Sequence, residues 1–162
     1  MFSFFEVNQL ADSGNYVNGL KDSLWLGYHI NGQPYYKELY ANGKLIKGVS
    51  RTIDGKSYFY TKDYIPPEPI GLSDQYNQYI KSNLIFPPLA LKNNVEGIVM
   101  VDVNVDSLGN ITSIVPKNKI PYGCTEEAIR IIKNGPHFTP ALFLGQPVSS
   151  YKRVFVRFEI KK

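Results

Sequence analysis

Few side chains in this 162-residue chain are of the types that carry catalysis. The single cysteine, Cys124, and the two histidines, His29 and His137, lie far apart in the sequence. A thiol beside an imidazole base performs nucleophilic catalysis, but such pairs come with family-specific motifs that the chain does not show. We therefore expect Cys124 to be a small buried residue beside a helix start, and both histidines to be surface or turn residues.

Two adjacent carboxylates, Glu126 and Glu127, are the other candidates for acid–base chemistry. They follow Thr125 and precede Arg130 and Lys133, a distribution typical of a helix whose charges complement its dipole. A helix N-terminus lowers a carboxyl pKa, whereas paired catalytic carboxylates need one raised pKa. We predict that both glutamates lie on the surface and that Thr125 is the N-cap.

The sequence shows no metal-ligand cluster, no phosphate-binding glycine loop and no nucleophile–base pair. We therefore predict a protein that is not an enzyme and that needs neither a metal nor a cofactor. A net charge of +4 with mostly scattered cations does not indicate a nucleic-acid partner. The length allows two small domains, and no segment is long enough to cross a bilayer.

Residues 95–111 contain the longest stretch in which apolar residues recur at every second position, and this pattern predicts a strand with one buried face. The four valines on one parity are Val99, Val101, Val103 and Val105. In the turn that follows, Gly109 can adopt a positive φ and Asp106 can hydrogen-bond the backbone ahead of it. A second strand over residues 111–115 should return antiparallel and stop at Pro116, which cannot donate to a ladder.

A last strand is predicted over residues 149–160, with aliphatic and aromatic residues on one face and a cationic outer face that suits an edge strand. Residues 138–147 before it are expected to form a loop. Upstream, helical periodicity starts at Leu72 and ends near Leu84, and a short helix follows Phe86 and the two prolines after it. Phe86 is either a partner-binding knob or a packing anchor, and both alternatives stay open.

The first part of the chain has a different sequence pattern. Turn dipeptides begin at Asn18, Asn31, Asn42 and Asp54, at intervals of 13, 11 and 12 residues, and aromatic, β-prone runs separate them. Residues 1–62 are therefore predicted to form an all-β antiparallel meander. Eight of the twelve tyrosines precede residue 65. They either form a stacking surface or fill the shallow core of a thin sheet, and the β-propensity of tyrosine favours the second alternative.

Residues 63–71 contain three prolines in four positions and are expected to form neither helix nor ladder, but a semi-rigid linker. Residues 72–162 should then form an α+β domain with two helices on one face of a small antiparallel sheet.

Several motifs in residues 71–160 together resemble the TonB C-terminal domain of Gram-negative energy transducers. The motifs that carry this resemblance are Phe86-Pro87-Pro88-Leu89-Ala90, Val95-Glu96-Gly97, the Val-x-Val-x-x-Asp-x-x-Gly hairpin, Cys124-Thr125-Glu126-Glu127-Ala128-Ile129 and Gly145-Gln146-Pro147-Val148. Residues 138–144 depart from the family, which usually carries a tryptophan and basic residues there. The segment before the linker resembles variant MORN repeats, through Gly14-Asn15-Tyr16, Trp25-Leu26-Gly27-Tyr28 and Asn42-Gly43-Lys44.

The TonB resemblance implies a non-catalytic periplasmic module that couples inner-membrane energy to transport. Its partner would be a TonB-dependent outer-membrane receptor, whose plug peptide adds as a strand to the edge of the last strand. The residues implied at this site are Phe86, Pro87, Tyr151, Lys152, Arg153, Val154, Phe155, Val156, Arg157 and Phe158.

The resemblance also implies inner-membrane motor proteins as partners, reached through an anchor upstream of Met1. Other expected partners are peptidoglycan, bound by the tyrosine-rich segment, and a second copy of the chain. Two alternatives concern the anchor: a fragment of a longer anchored protein, or a soluble relative that binds without pulling. An alternative function is an envelope scaffold that acts through the tyrosine-rich segment without energy transduction.

Overall fold

A computed structural model describes residues 1–4, 9–71 and 73–160 of the chain. The protein is α+β, with antiparallel sheets and three helices among these residues. The strands are β1 (Phe2–Phe4), β2 (Leu10–Val17), β3 (Leu20–Tyr28), β4 (Pro34–Ala41), β5 (Lys44–Arg51), β6 (Ser57–Tyr60), β7 (Tyr64–Ile65), β8 (Glu68–Pro69), β9 (Gly97–Val105), β10 (Ile111–Pro116), β11 (Phe138–Thr139), β12 (Ala141–Phe143), β13 (Gln146–Val148) and β14 (Ser150–Phe158), and the helices are α1 (Ser73–Asn83), α2 (Pro88–Lys92) and α3 (Cys124–Lys133).

The chain divides into two compact units. The first comprises Met1–Ile65 together with Leu142–Gln146, and the second comprises Pro66–Ala141 together with Pro147–Lys162. A short segment late in the sequence therefore completes the first unit. Within that unit, the Ser50 hydroxyl donates to the Leu144 carbonyl at 2.7 Å, and the Gln146 amide donates to the same hydroxyl at 2.8 Å.

The first unit is built on a six-stranded antiparallel sheet whose strands, β1 to β6, follow one another in chain order. Two of the predicted turns have positive φ at both central residues, Asn18-Gly19 and Asn42-Gly43, as a type I′ hairpin requires. At the other two, only Gly32 and Gly55 have positive φ, so these connections are not type I′ turns. The likeness of this sheet to MORN repeats stays a prediction.

Three aromatic rings on one face of this sheet lie directly over glycines of a neighbouring strand. A Cβ atom at Gly48 would lie 2.3 Å from the Tyr60 ring, and Cβ atoms at Gly14 and Gly27 would be as close to Trp25 and Tyr36 respectively. Glycine is therefore required at these positions because the ring occupies the space of its side chain. Trp25, Tyr40 and Tyr60 are buried. The structure thus uses tyrosines to fill a thin sheet.

On the same face, a buried carboxylate accepts hydrogen bonds from two tyrosines. The Tyr60 hydroxyl donates to Glu38 at 2.7 Å and the Tyr40 hydroxyl donates to it at 3.2 Å. Burial, and then the neighbouring carboxylate, raise the pKa of both tyrosines, so their hydroxyls remain donors.

The expectation that residues 63–71 form no ladder is wrong. β7 pairs with β12 in the first unit, and β8 pairs with β11 in the second. The second pairing places Pro69 opposite Phe138 in a two-stranded sheet, where a residue without an N–H is tolerated because every strand is an edge. Residues 138–147 were expected to be a loop, but they supply the partner strands. The two extended segments pair because each satisfies the backbone hydrogen-bonding groups of the other.

The second unit contains a three-stranded antiparallel sheet in the order β10-β9-β14. The four alternating valines of β9 are buried, as predicted, and they share one core with side chains of all three helices. In the β9–β10 turn, Gly109 has a φ of 87°, and the Asp106 carboxylate accepts N–H groups of Leu108 and Asn110 at 2.9 and 2.8 Å. Leu72, the first predicted helical residue, lies outside the described residues.

Two expectations for α3 are wrong. The helix begins at Cys124 with Gly123 as its N-cap, and the Thr125 hydroxyl instead donates to the carbonyl and accepts the N–H of Ile120. Glu127 is 8% exposed and accepts the backbone N–H of Ile85 at 2.7 Å, so it is not a surface residue. Its carboxylate also accepts two hydrogen bonds from Arg130. Sequence spacing did not suggest the bond to Ile85, because Ile85 and Glu127 are 42 residues apart.

We expect Gly48→Ala to destabilise the first unit by about 1–3 kcal/mol, because the added methyl group collides with the Tyr60 ring. Trp25 is the only tryptophan and lies in this unit, so its fluorescence during urea unfolding reports the change. In a Tyr60→Ala background the cost of Gly48→Ala should shrink, since the colliding ring is gone. Equal costs in the two backgrounds would contradict this explanation.

We expect Cys124→Ala to lower the free energy of unfolding by on the order of 1 kcal/mol, as small core truncations do. Cys124 is fully buried, and burial followed by Glu126 raises the pKa of its thiol, so alkylation of the folded protein should be slow at neutral pH. Chemical denaturation and timed iodoacetamide labelling measure both. Labelling as fast as in the unfolded chain would show that the thiol is accessible and reactive.

Candidate functional site

The last strand, β14, pairs along its whole length with β9, and no other described strand pairs with its second edge. The hydrogen bonds of Met100 in β9 show which main-chain groups of β14 face that edge. The Lys117 N–H donates to the Met100 carbonyl at 2.8 Å, and the Met100 N–H donates to the Asn118 side chain at 2.7 Å. The backbone groups of Met100 therefore point towards the β10 side, away from β14.

Opposite Met100 on β14 lies Phe155, so this pair exchanges no hydrogen bonds. In an antiparallel ladder, hydrogen-bonded and non-hydrogen-bonded pairs alternate, and residues of the second kind turn their N–H and C=O groups outwards. Every second residue of β14 thus offers a donor and an acceptor at the open edge. These residues are Tyr151, Arg153, Phe155 and Arg157.

The side chains of β14 alternate with the same period between the outer face of the sheet and the core. Those of the four residues with outward main-chain groups are exposed on the outer face of the sheet. Val154, Val156 and Phe158 are buried in the core, and their backbones bond to β9. Of the predicted site residues, these three hold the strand in place and have no side chain available for a partner.

A groove runs beside the open edge, between β14 and α1. Its larger part has a volume of about 730 Å³ and an apolar lining contributed by Ile80, Leu84, Ile98 and Phe155. A smaller part of about 200 Å³ lies towards β8, and Asn77 and Phe155 line both parts. The open edge is therefore flanked by a recess that can take side chains.

The outer-face charges along β14 are largely paired. Arg153 donates two hydrogen bonds to Asp102, at 2.7 and 3.0 Å, and these bonds hold the pKa of Asp102 below its usual range. Arg157 pairs with Glu159 at 3.0 Å, and both side chains are exposed. The second pair costs little to open, because an exposed ion pair contributes little to stability.

Lys152, another predicted site residue, points away from the outer face and donates to Glu68 of β8 at 2.5 Å. Two buried polar atoms at this end of the groove have no hydrogen-bond partner among the described residues, Glu68 Oε2 and Tyr76 Oη. Burial raises the pKa of Tyr76, which keeps its hydroxyl protonated. This end of the groove therefore has two polar groups that can form further hydrogen bonds.

Phe86 and Pro87 are both half-buried, and Pro87 lies next to Gly123, the N-cap of α3. The Phe86 ring packs edge-on against Phe158, with centroids 5.6 Å apart. Glu127 fixes the preceding residue, Ile85, by its backbone N–H. Burial raises the pKa of Glu127, but hydrogen bonds from Arg130 and Ile85 outweigh it and lower the pKa overall. Phe86 is thus a packing anchor that supports β14 from the core.

Asn77, Lys81 and Glu68 line the groove and were not predicted as site residues. Asn77 and Lys81 share a helix face through their i, i+4 spacing, but only the tertiary structure shows that this face borders β14. Glu68 lies in the proline-rich segment, where no contact with the last strand was expected.

The other edge of the sheet, on β10, is less suited to pairing with a new strand. Its register shifts between Ile111 and Ser113, and it ends at Pro116, which has no N–H to donate. A bulge and a proline are common protections of an edge strand. The regular, nine-residue β14 is therefore the better template.

Among the described residues, no helix has the length and apolar character to cross a membrane. The same part of the chain contains no cluster of three or more His, Cys, Asp or Glu residues that could hold a metal ion.

Comparison with known proteins yielded one family. The model of the Gram-negative bacterial TonB protein C-terminal family matches residues 82–160, which include β9, β10, α3 and β14. No curated protein and no solved structure gave a significant match. Domains of this family are periplasmic, non-enzymatic interaction modules that generally interact with TonB-dependent outer-membrane receptors. Residues 82–160 of this chain therefore carry a match to the TonB C-terminal family.

Proposed function

We propose that the second unit binds an extended plug segment of a TonB-dependent outer-membrane receptor by strand addition at β14. The observation that carries this proposal is the open edge, where four alternate residues present both their N–H and C=O groups. Each such residue can form two main-chain hydrogen bonds with an added strand. Main-chain pairing supplies affinity in this mode, and side-chain pockets supply selectivity.

The groove next to the edge supplies such pockets. Side chains of an added strand alternate between its two faces, so every second one would enter the recess between β14 and α1. The apolar lining near Ile80 and Leu84 suits an aliphatic or aromatic side chain. The smaller part of the groove suits a hydrogen-bond donor, because Glu68 has an unpartnered oxygen there.

Binding by strand addition also explains how the module would transmit force. In this proposal the receptor segment extends a sheet whose central strand, β9, is fully buried on one face. A pull on the module is then shared among several parallel hydrogen bonds. The domain would couple inner-membrane energy to the receptor through this strand, with inner-membrane motor proteins as the second partner.

Phe155→Pro should abolish binding of a receptor plug peptide while the domain still folds. The N–H that proline removes points to the open edge and makes no ladder bond, so the fold loses no hydrogen bond. Titration of the ¹⁵N-labelled full chain with plug peptides measures binding. Phe155→Ala is the comparison: it removes the ring that lines the groove but keeps the N–H, so it should weaken binding less than Phe155→Pro does.

Retained peptide binding by folded Phe155→Pro would exclude pairing at this edge. Wild-type titrations without chemical-shift changes in residues 149–160 would do the same.

Asn77→Trp should weaken the same peptide by about tenfold or more, because a large side chain fills the groove that the peptide's side chains need. Asn77 is exposed, so the fold tolerates the change. Gln78→Trp is the matched control: the neighbouring residue is also exposed on α1 but does not line the groove. Equal effects of the two substitutions would show that the groove plays no part in binding.

A further inference from the structure

The six-stranded sheet of the first unit has a second face, opposite the buried Trp25, Tyr40 and Tyr60, that the proposed function does not use. Two rows of side chains cross this face, as the strand register shows. The first row consists of Leu26, Lys37, Val49 and Phe59, and the second of Leu24, Leu39 and Lys47.

This face is apolar and open. Phe59 of β6 is 84% exposed, and Leu24 of β3 and Leu39 of β4 are exposed as well. The side chains surround a groove of about 610 Å³, which adjoins a second of about 290 Å³; Lys37 and Val49 line both. A continuous apolar patch with a recess of this size marks an interaction surface rather than ordinary scatter of surface hydrophobics.

The charged side chains that line the two grooves from this face have one sign. Lys37, Lys47 and Arg51 line the two grooves, and none of them has an ion-pair partner among the described residues. Glu38 is the one carboxylate among the lining residues. Its side chain lies on the opposite face, where it binds two tyrosine hydroxyls. The face therefore combines apolar contact area with uncompensated positive charge.

We propose that this face binds an acidic protein segment with apolar side chains, independently of the β14 edge. Carboxylates of the partner would pair with Lys37, Lys47 and Arg51, and its apolar side chains would enter the groove beside Phe59. Complementary charge of this kind fixes the orientation of a partner and speeds its association.

Two other occupants fit less well. A second copy presenting the same face would place lysines opposite lysines, and like charges at an interface oppose association. A flat anionic bilayer would contact the cations, but it cannot fill a recess between strands. A protein side chain can.

Selection of random twelve-residue peptides displayed on phage, against the full chain, tests the proposal. Peptides that bind the wild-type chain should be rich in Asp, Glu and large apolar residues. Their affinity should fall with rising salt and should be about tenfold or more weaker for the Lys37→Glu/Lys47→Glu variant. Phe59→Ser should weaken them too. Both variants change exposed side chains, and Trp25 fluorescence checks that they fold.

The Phe155→Pro variant separates this face from the β14 edge. The acidic peptides should bind this variant as well as they bind the wild type, whereas receptor plug peptides should not bind it. Failure to recover acidic peptides, or equal affinity for the charge-reversed variant, would overturn the proposal. So would binding to vesicles of phosphatidylglycerol and phosphatidylethanolamine that is lost in the charge-reversed variant while the peptides still bind it.

Discussion

The pairing of β9 with β14 is the interaction on which the C-terminal domain depends. It places four valines of β9 beside three apolar residues of β14 on the face that the helices bury, and the same alternation decides which main-chain groups of β14 are left at the edge. Core and binding edge are thus two results of one ladder, because side chains and backbone groups both change direction at every residue. A shift of one residue in this register would expose the core face and reverse the edge at once.

The helices support this ladder without closing it. Side chains of α3 fill the core beneath β9, and the buried Glu127 fixes the segment that carries Phe86 under Phe158. α1 lies far enough from the edge of β14 to leave a groove. The last strand is therefore held firmly from one side and one face, while its other edge stays accessible. Rigidity of this kind favours strand addition, because little ordering cost remains to be met when the partner binds.

The first unit solves a different problem, since a single sheet has little interior. Aromatic rings lie over glycines of adjacent strands, and a buried carboxylate takes two tyrosine hydroxyls. These contacts give one face a packed layer only one side chain thick. The opposite face keeps aliphatic and cationic side chains in contact with solvent. The two faces of one sheet therefore differ in chemistry, because buried aromatic side chains cover one face and exposed Lys37, Lys47 and Phe59 lie on the other.

The sequence by itself determined the local features: the buried face of β9, its turn with Gly109, the two Asn-Gly hairpins, the strand at the C-terminus and the family match of residues 82–160. These follow from side-chain period and from backbone conformations that few residues accept, both of which are written in short stretches of sequence. Only the tertiary structure decided that Glu127 is buried, that the proline-rich segment pairs with residues near 140, that Phe86 packs against Phe158, and that a groove lined by α1 borders the edge of β14. Those features depend on which distant segments meet, and a local pattern contains no information on the partner that satisfies a backbone group or covers a side chain.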